Sequence, residues 1–384
     1  MASKQHVVVI GAGVIGLTSA TFLAKAGYLV SIIAAHMPGD ASIEYTSPWY
    51  VRWCTYLLIV KAGAHWRTHA SSNDQMLCDW DLQTYNEWQK LLEMESKNLK
   101  MPRSGLKIYE SLHYWDGDVE EDLWWAPYVK EFRQLSTSQE PCLSIAKLSP
   151  PGEPVIQNAA SSQSIAVNVP HYLKYLQDKA RSQGVRFIKA RLPEKVGLSK
   201  ALREAENLIL ADGGCRPNAY VNATGLGAAK LTGDEALYPI RGQTVLVKGE
   251  AVAIRTRIGD GYVAYCIPRP GSGTTILGGV KEVGNWSGGI DPETTRKIQD
   301  RCSYIVPELL TGKDGGFEII SVQCGLRPGR KGGPRIEKEV VDEKKVIHAY
   351  GHAGAGYQNS IGCARAVVKL VGEILAFPSL YASI

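Results

Sequence analysis

The first forty residues alternate between apolar runs and a glycine-rich stretch. Apolar residues fill 7–10, an alanine-rich apolar segment extends to about Ala26, and a second apolar run covers 28–33. Gly11, Gly13 and Gly16 take the G-x-G-x-x-G positions after the first run. This order predicts a strand, a turn, a helix and a second strand. The glycines allow a tight turn, close approach of a pyrophosphate and close helix–strand packing, so the segment predicts a dinucleotide site rather than a turn without a ligand.

The middle of the chain follows a different hydrophobic pattern. Apolar and polar residues alternate at 243–248, 262–267 and 274–277, which predicts an antiparallel sheet and not a βαβ series. A short apolar run at 208–210 is interpreted as a further strand. The proline-rich stretch 143–155 is interpreted as a loop that bounds one lobe.

The last quarter of the chain repeats the strand–glycine–helix pattern. An apolar strand at 346–350 enters a second glycine-rich turn, and an amphipathic helix follows at 357–375. We therefore predict an α/β protein with a Rossmann-like FAD-binding domain and a second, mostly antiparallel β substrate-binding domain. A cofactor held from both ends of the chain would be long and deeply buried, which suits FAD better than NAD. The predicted domains are 1–75 with 160–235 and 320–384 for FAD, and 76–159 with 236–319 for substrate.

Composition excludes several classes of function. The 384 residues are 45% hydrophobic and 21% charged, which is ordinary for a globular enzyme of two lobes. The net charge of +5 is spread without a long basic run, so nucleic acid is not an expected partner. No apolar run reaches about 18 residues, so no membrane span is expected. The eight cysteines form no C-x-x-C pair and no metal-ligand spacing, so we expect free thiols, a reducing compartment and no metal. The first strand begins at once, so no signal peptide is expected.

The second strand lacks the acid that usually binds the ribose hydroxyls. It ends at Ile33 and continues as Ala34, Ala35 and His36. The nearest acids are Asp40 and Glu44. We expect His36 or backbone groups to supply this contact.

Nine segments along the chain resemble the D-amino-acid oxidase family, in its fungal-like form. They occur in the family's order over nearly the whole length, and the G-L-R-P and H-x-Y-G-H-x-G-x-G pair is the most specific. The segments are V-V-V-I-G-A-G-V-I-G-L from Val7, T-S-P-W at 46–49, A-G-A-H-W at 62–66, N-A-T-G-L-G at 222–227, R-G-Q-T at 241–244, Y-C-I-P-R-P at 265–270, G-G-V-K-E-V-G-N-W at 278–286, C-G-L-R-P-G-R at 324–330, and H-A-Y-G-H-A-G-A-G-Y-Q at 348–358.

The resemblance implies an FAD enzyme that takes D-amino acids and O2 as its small-molecule partners. Such an enzyme oxidises the D-amino acid to an imino acid, which water converts to a 2-oxo acid and ammonia. Oxygen then reoxidises the flavin and hydrogen peroxide is released. The Cα hydrogen moves as a hydride to flavin N5, so the protein contributes orientation and electrostatics rather than an essential base.

Four residues are implied at the substrate. Arg327 would hold the α-carboxylate in its guanidinium fork, the alternative being a surface or salt-bridged arginine. Tyr265 would donate its phenol O–H to the same carboxylate, the alternative being a packing tyrosine. The Gly354 carbonyl would accept from the amino group, so that three contacts select one hand of Cα. Lys281 lies where D-aspartate oxidases carry a basic residue, and would then pair with an acidic side chain; the alternative is a solvated lysine.

The cofactor residues follow from the same segments. Backbone groups near the last helix would face flavin O2, where the helix dipole stabilises negative charge on the reduced ring. The implied cofactor residues are Gly11, Gly13, Val14, Ile15 and Gly16 at the pyrophosphate, Ala35 and His36 at the ribose, Thr46 and Ser47 at the phosphate and ribityl chain, Gly63, His65 and Trp66 near the isoalloxazine, Arg191 and Leu192 on the adenine side, Thr224 and Gly225 in a nearby turn, and Gly354, Gly356, Tyr357 and Gln358 at the flavin.

One segment departs from the family. Twelve residues, 50–61, separate T-S-P-W from A-G-A-H-W, which are usually joined directly. Three interpretations are open: a lid or packing insert of this chain, an artefact of sequence or splicing, or a misplaced junction. We favour an artefact or a poorly packed insert, and an exposed apolar, β-prone run of this kind would also risk aggregation. We expect its deletion to keep or raise flavin occupancy, and complete loss of FAD on deletion would refute this.

Other classes of function stay open at this point. They are a D-aspartate oxidase or another amine oxidase on the same scaffold, an NAD(P)-dependent dehydrogenase, and a dinucleotide-binding sensor. A yellow purified protein would favour the oxidases, and a colourless one the last two. Family resemblance implies the peroxisome, but the ending Ala382-Ser383-Ile384 is not an S-K-L-type signal, so the cytosol is also open. A homodimer is left open as well.

Overall fold

The computed structural model describes residues 4–40, 63–97, 103–119, 122–148, 155–194 and 196–376. The insert at 50–61 lies outside the described residues, as do the two predicted cofactor residues Thr46 and Ser47. Within the described ranges, no helix is both long enough and apolar enough to cross a membrane.

Strands and helices alternate at both ends of the chain, and strands predominate between them. The strands are β1 (His6–Ile10), β2 (Leu29–Ala34), β3 (Gly63–His65), β4 (Leu106–Trp115), β5 (Arg133–Leu135), β6 (Asn158–Asn168), β7 (Arg186–Lys189), β8 (Ala219–Asn222), β9 (Leu237–Lys248), β10 (Ile254–Gly259), β11 (Tyr262–Arg269), β12 (Thr274–Gly278), β13 (Glu282–Val283), β14 (Ile319–Arg330), β15 (Arg335–Val341) and β16 (Lys344–Tyr350). The helices are α1 (Val14–Lys25), α2 (Gln75–Ser96), α3 (Cys142–Leu148), α4 (Val169–Ser182), α5 (Leu198–Ala211), α6 (Gly227–Thr232), α7 (Pro292–Ile305) and α8 (Ser360–Ala376).

The chain divides into two compact units. Unit 1 comprises Met1–Tyr45, Leu173–Ile240 and Arg327–Ile384, and unit 2 comprises Thr46–Tyr172 and Arg241–Leu326. Compared with the predicted domains, the described residues 63–75, 160–172 and 320–326 fall in unit 2, and residues 236–240 fall in unit 1. The divisions after Ile240 and Leu326 fall inside β9 and β14.

Unit 1 is built on a six-stranded sheet in the order β15-β16-β8-β1-β2-β7. The strands are parallel except for β15, which pairs antiparallel with β16. The five residues of β1 are all buried, because helices cover both faces of a parallel sheet. Helices α1 and α8 pack against each other beside the sheet, and residues of α5 join the core cluster of β1 and β8. The α/β, Rossmann-like prediction is confirmed.

Two local predictions are wrong, and in both cases the true element is a helix. Residues 208–210 belong to α5. Its buried apolar residues recur every three or four positions, as on one helix face: Leu198, then Ala201 and Leu202, then Ala205 and Ile209. A run of three apolar residues does not distinguish a buried strand from the last turn of such a helix. Residues 143–148 belong to α3 rather than to a loop, and Ile145 packs there into an apolar cluster.

Unit 2 contains a sheet with strand order β13-β9-β12-β11-β10-β4-β6-β3, with β5 paired to β6. From β9 to β3, and between β5 and β6, the pairings are antiparallel except for β10 with β4. Helix α7 covers one face, where Ile298 and Cys302 pack with Ala264, Cys266 and Leu277. The residues that alternate with these, including Tyr265, lie on the opposite face.

Candidate functional site

The turn after β1 needs glycine at two positions for reasons internal to the protein. Gly11 has a φ of +112°, and a methyl group added there would lie 2.4 Å from the carbonyl oxygen of Ala223. A methyl group added at Gly16 would lie 2.0 Å from the carbonyl oxygen of Gly11. Both distances are far below van der Waals contact, and the obstructing atoms belong to the backbone. These two glycines therefore close the strand, turn and helix onto one another.

Gly13 serves a different purpose, because no described heavy atom lies within 4 Å of a methyl group added there. Gly13 is the N-cap residue of α1, and no side chain of the described residues caps the helix. The first turn of α1 also lacks an acidic residue. The open space therefore lies at a helix N-terminus whose N–H groups and positive dipole end remain available to an anion. Val14 and Ile15 are half-buried beside it.

We call the open space at Gly13, together with the glycine-rich turns around it, the cradle. The turn after β1 is its first wall, and the turn after β8 is its second. A methyl group added at Gly11 would lie 3.5 Å from the backbone nitrogen of Thr224, so the two turns are in contact. The Asn222 side chain accepts from both the backbone N–H and the hydroxyl of Thr224, at 3.3 and 2.7 Å. Gly225 has a φ of +58° and, like Gly13, no described heavy atom within 4 Å of an added methyl group. The structure thus brings together the predicted residues of the turn after β1 and of the turn after β8.

Two predicted adenosine residues meet at the ends of neighbouring parallel strands. His36 follows β2, Arg191 follows β7, and Arg191 Nη2 lies 3.1 Å from His36 Nε2. Asp40 is engaged elsewhere, because it accepts from the backbone of Met37 and pairs with Lys189 at 2.8 Å. Ala35 is half-buried next to His36. An open depression of about 460 Å³ adjoins them, lined by Arg191, Leu192, Pro193, Glu194 and Glu204.

The third wall is the glycine-rich turn before α8, which lies against two other predicted site residues. A methyl group added at Gly354 would lie 3.6 Å from Cδ of Arg327, so the arginine stem runs alongside this glycine. A methyl group added at Gly356 would lie 3.8 Å from Cγ1 of Val14. Ala353 adopts a positive φ of 49° and donates its N–H to the carbonyl of Pro328 at 2.8 Å. Arg327 is thereby held at the edge of the same cradle as the first glycine turn.

The residues that follow are packed into the same region. His352 is buried, and Cys363 Sγ of α8 lies 3.6 Å from its Nε2. Burial lowers the pKa of His352 to about 4, so the ring is neutral at neutral pH. Gln358 is buried and Tyr357 half-buried.

Tyr265 lies in unit 2, on a row of residues that crosses the sheet. It pairs with Gly278 of β12 and with Thr256 of β10. Gly278 pairs in turn with Thr244, and Thr256 with His113. A methyl group added at Gly278 would lie 2.4 Å from the Tyr265 oxygen, so the tyrosine ring lies across this glycine. The Tyr265 side chain can occupy this position only because residue 278 has no side chain.

Three buried polar atoms of this row have no hydrogen-bond partner among the described residues: Oγ1 of Thr244, Oγ1 of Thr256 and Nδ1 of His113. Burial, with a smaller contribution from Arg67, lowers the pKa of His113 to about 3, so its ring is neutral. Sequence reasoning missed Thr256 and His113. No spacing signal could have found them, because they come from separate segments and only the strand register aligns them.

The other predicted residues of unit 2 are placed as follows. Gly63 begins β3, where an added methyl group would lie 2.9 Å from Ile276. His65 is half-buried with its Nε2 buried and no partner for that atom in the described ranges; burial, helped by Arg67, holds its pKa well below the usual value. Trp66 is buried and donates its indole N–H to the carbonyl of Asp81 at 2.8 Å. Lys281 is exposed beyond the end of β12. In the described part of the chain, no cluster of three or more His, Cys, Asp or Glu is arranged to hold a metal ion.

Comparison with known proteins gives a consistent result. The family model described as FAD dependent oxidoreductase (DAO) matches residues 6–370. A protein of Schizosaccharomyces pombe named D-amino-acid oxidase is 36% identical over 389 residues, which cover 98% of this chain and 97% of that protein. A Fusarium vanettenii protein of the same name is 33% identical over 394 residues, covering 97% and 98%.

A more distant relative and a solved structure extend the comparison. A Talaromyces thermophilus protein named D-aspartate oxidase is 28% identical over 384 residues, covering 95% of each chain. The crystal structure of a glycine oxidase from Bacillus cereus superposes with a TM-score of 0.67 at 18% identity, covering 96% of this chain and 95% of that one. The latter establishes similarity of fold.

Proposed function

The chain belongs to the DAO family of FAD-dependent oxidoreductases, and from that premise we propose that it oxidises D-amino acids to 2-oxo acids, with O2 as electron acceptor and ammonia and hydrogen peroxide as products. The family confirms the predictions of an oxidoreductase and of FAD as cofactor. The observation that carries the proposal is the position of Arg327, whose stem lies alongside Gly354 at the edge of the glycine-rich cradle.

The cradle fits FAD in its backbone chemistry. FAD, when bound, accepts two electrons and a hydrogen from the substrate and passes the electrons to O2. The open space at Gly13 and the uncapped N-terminus of α1 suit its pyrophosphate. Arg191 and His36, at the ends of β7 and β2, replace the missing acid at the adenosine end. Each of these groups binds or orients the cofactor.

Arg327 is the group best suited to bind the substrate α-carboxylate. A guanidinium matches a carboxylate with two parallel N–H···O bonds, which fix direction as well as position. In β14 it is followed by Pro328, whose carbonyl accepts from Ala353, so the arginine and the Gly354 turn are joined by a backbone hydrogen bond. The Gly354 carbonyl then accepts from the amino group. Carboxylate, amine and side chain, each held at its own place, present the Cα hydrogen of one enantiomer.

A peroxide assay tests the proposal. The FAD-loaded protein is mixed with D-alanine or L-alanine in air, and hydrogen peroxide and pyruvate are measured. We expect both products from the D-enantiomer at equal amounts, and rates with the L-enantiomer at least about a thousandfold lower, since a reversed Cα turns its hydrogen away. Equal rates with both enantiomers, or no peroxide with either, would overturn the proposal.

A second candidate is oxidation of D-aspartate on the same scaffold. It is favoured by the resemblance to the Talaromyces protein and by Lys281, whose exposed ammonium is available to a second carboxylate. The same assay with D-aspartate separates the candidates. A kcat/KM for D-aspartate above that for D-alanine, reduced by Lys281→Met, would support the second candidate; a lower value would exclude it.

A further inference from the structure

The Thr224–Gly225 turn of the cradle is hydrogen-bonded to a side chain of β8. Asn222 is fully buried, and its Oδ1 accepts from the backbone N–H and the hydroxyl of Thr224, at 3.3 and 2.7 Å. Two donors on one side fix the orientation of the amide, because only its oxygen can accept them. The amide nitrogen must therefore face the other way, toward His348 Nδ1 at 3.2 Å.

The orientation of Asn222 determines which nitrogen of His348 carries the proton. The amide nitrogen donates, so Nδ1 of His348 accepts and the ring proton is on Nε2. That proton is donated to Glu339 Oε2 at 2.7 Å. Asn222 and His348 are paired residues of neighbouring parallel strands, and both are fully buried. The three side chains form a relay with one direction of donation, from the amide to the ring to the carboxylate.

Beyond Glu339, a network of further hydrogen bonds connects the relay with the strand that carries Arg327. Arg335 donates to Glu339 at 3.0 Å and to the Tyr350 hydroxyl at 3.0 Å. Asp234 accepts from the Tyr350 hydroxyl at 2.9 Å and from Nε of Arg330 at 2.8 Å. Although burial opposes it, the Arg330 and Tyr350 hydrogen bonds hold the pKa of Asp234 below its usual value, so the carboxylate stays ionised. The network thus joins the Thr224 turn to the segment three residues beyond Arg327.

We propose that His348 is a positioning residue for the cofactor: through its Nδ1 acceptor it fixes the Asn222 amide, which in turn fixes the Thr224–Gly225 turn against the glycine turn that receives the FAD pyrophosphate. The inference rests on the FAD binding of the proposed function. Its structural basis is the close packing of the two turns: a methyl group added at Gly11 would strike the Ala223 carbonyl oxygen at 2.4 Å and would touch the Thr224 nitrogen at 3.5 Å. A turn that loosened here would lose its fit to the first turn.

The relay predicts that acid weakens FAD binding. A proton on Nδ1 would set an N–H of the ring against the N–H of the Asn222 amide, and the amide could satisfy the ring only by turning its nitrogen toward the Thr224 N–H. The charged groups around the ring are Glu339, Glu337 and Arg335 of β15, with the Tyr350 ring at 5.6 Å; β8 contributes the uncharged Asn222. Burial lowers the pKa of His348 although Glu339 opposes this, so the relay is intact at neutral pH and fails only in acid.

Release of FAD from the diluted holoprotein tests the inference, followed by the appearance of free flavin fluorescence at a series of pH values from about 7 down to about 4. His348→Leu removes the acceptor, and we expect release to be about tenfold faster at neutral pH, the effect of one lost buried hydrogen bond. His348→Asn places a carbonyl oxygen near the position of Nδ1 and cannot take up a proton. We expect this variant to release FAD nearly as slowly as the wild type at neutral pH, and at a rate that does not change in acid.

His6→Leu is the matched control. His6 is a buried histidine at the start of β1, at the other end of the strand from Gly11, where it contacts the Cys215 carbonyl and the Ser31 hydroxyl at 2.9 and 3.0 Å. Its pKa is also lowered by burial. We expect His6→Leu to lower thermal stability while FAD release keeps the acid sensitivity of the wild type, which separates positioning from general destabilisation.

The outcomes distinguish failure of the relay from failure of the proposed function. A wild type that holds FAD, together with a His348→Leu variant that releases it at the wild-type rate, would overturn the relay alone. A His348→Asn variant that keeps the acid sensitivity of the wild type would also overturn it, even if His348→Leu did not fold. A wild type that binds no FAD would overturn the proposed function as well.

Discussion

The candidate ligand-binding groups of the two units differ in kind: they are mainly backbone groups in unit 1 and side chains in unit 2. In unit 1 the cradle is made of backbone: glycines at 11, 13 and 16, an uncapped helix N-terminus, and two further turns at Thr224 and Gly354. In unit 2 the candidate substrate residue Tyr265 lies on a sheet face among polar side chains. The first arrangement constrains which residues are allowed at all, and the second constrains only which functional groups they carry.

This difference has an energetic consequence. A Cβ that meets a backbone carbonyl at about 2 Å has no neighbouring side chain that can move aside, so the whole turn must shift. A hydroxyl on a sheet face can be removed while the packing is preserved, and the loss is then that of one hydrogen bond. Substitutions of the turn glycines of unit 1 should therefore act on folding and cofactor retention, and removal of single polar groups from a side chain should act on substrate kinetics.

The largest effects are expected in the first glycine turn. Gly16→Ala places a methyl group 2.0 Å from the Gly11 carbonyl oxygen and should cost about 3 kcal/mol or more of stability, with loss of FAD. Gly13→Ala has space in the described protein and an ordinary φ of −77°, so stability without cofactor should be unchanged while FAD affinity falls. Thermal denaturation with and without FAD measures both. Equal behaviour of the two variants would contradict the distinction between them.

Arg327→Met should leave the cradle intact and remove the proposed contact with the substrate carboxylate. Loss of a bidentate charged interaction costs several kcal/mol, so kcat/KM for D-alanine should fall about a thousandfold while bound FAD stays at the wild-type level. Arg216→Met is the matched control, because the Arg216 side chain is 80% exposed and its partner in the same unit, the buried Glu206, is also paired with Lys344. We expect less than about a twofold change there. Similar losses in both variants would refute the role of Arg327.

Tyr265→Phe should have a smaller effect, confined to kinetics. If the phenol donates to the substrate carboxylate, as the family resemblance implies, its removal should lower kcat/KM for D-alanine about tenfold or somewhat more. Tyr114→Phe is the control in the same sheet: its hydroxyl is buried and has no partner among the described residues, so its removal should leave kcat/KM unchanged. If Tyr265→Phe behaved like Tyr114→Phe, Tyr265 would be a packing residue.

The smallest expected effects concern acid stability. The pKa of His113 in unit 2 is lowered to about 3 and that of His352 in unit 1 to about 4, in both cases by burial. The unfolded chain, with an ordinary histidine pKa of about 6.5, then binds more protons than the folded chain below that pH. Stability should therefore be complete above about pH 6.5 and decrease as the pH falls toward 4. Urea denaturation of His113→Phe and of His352→Phe should each show a shallower decrease than the wild type, and an unchanged slope would contradict the assignment.

The sequence predicted the first strand, helix and strand of unit 1 most closely, and the reason is physical. A G-x-G-x-x-G turn is a local requirement, so the predicted strands and the predicted end of the helix agree with β1, β2 and the end of α1 to within about one residue. The two errors, at 208–210 and 143–148, occurred where a short apolar or proline-rich segment carried no periodicity long enough to choose between elements.

The parts of the candidate site that the sequence did not predict depend on long-range pairing. Asn222 and His348 are 126 positions apart, and only the neighbouring registers of β8 and β16 bring them together. The same holds for Tyr265, Thr256 and His113, which are aligned by three strands of unit 2. Motif resemblance located Arg327 and Gly354 individually, whereas their proximity is a property of the fold.

The most direct test of the account is reduction of the bound flavin in the absence of oxygen. Holoprotein is mixed anaerobically with D-alanine or with L-alanine, and the visible absorption of oxidised flavin is followed. We predict rapid and complete loss of this absorption with D-alanine, none on the same time scale with L-alanine, and full recovery when air is admitted. Bleaching by both enantiomers at equal rates, or by neither, would contradict the claim that this chain presents the Cα hydrogen of a D-amino acid to its cofactor.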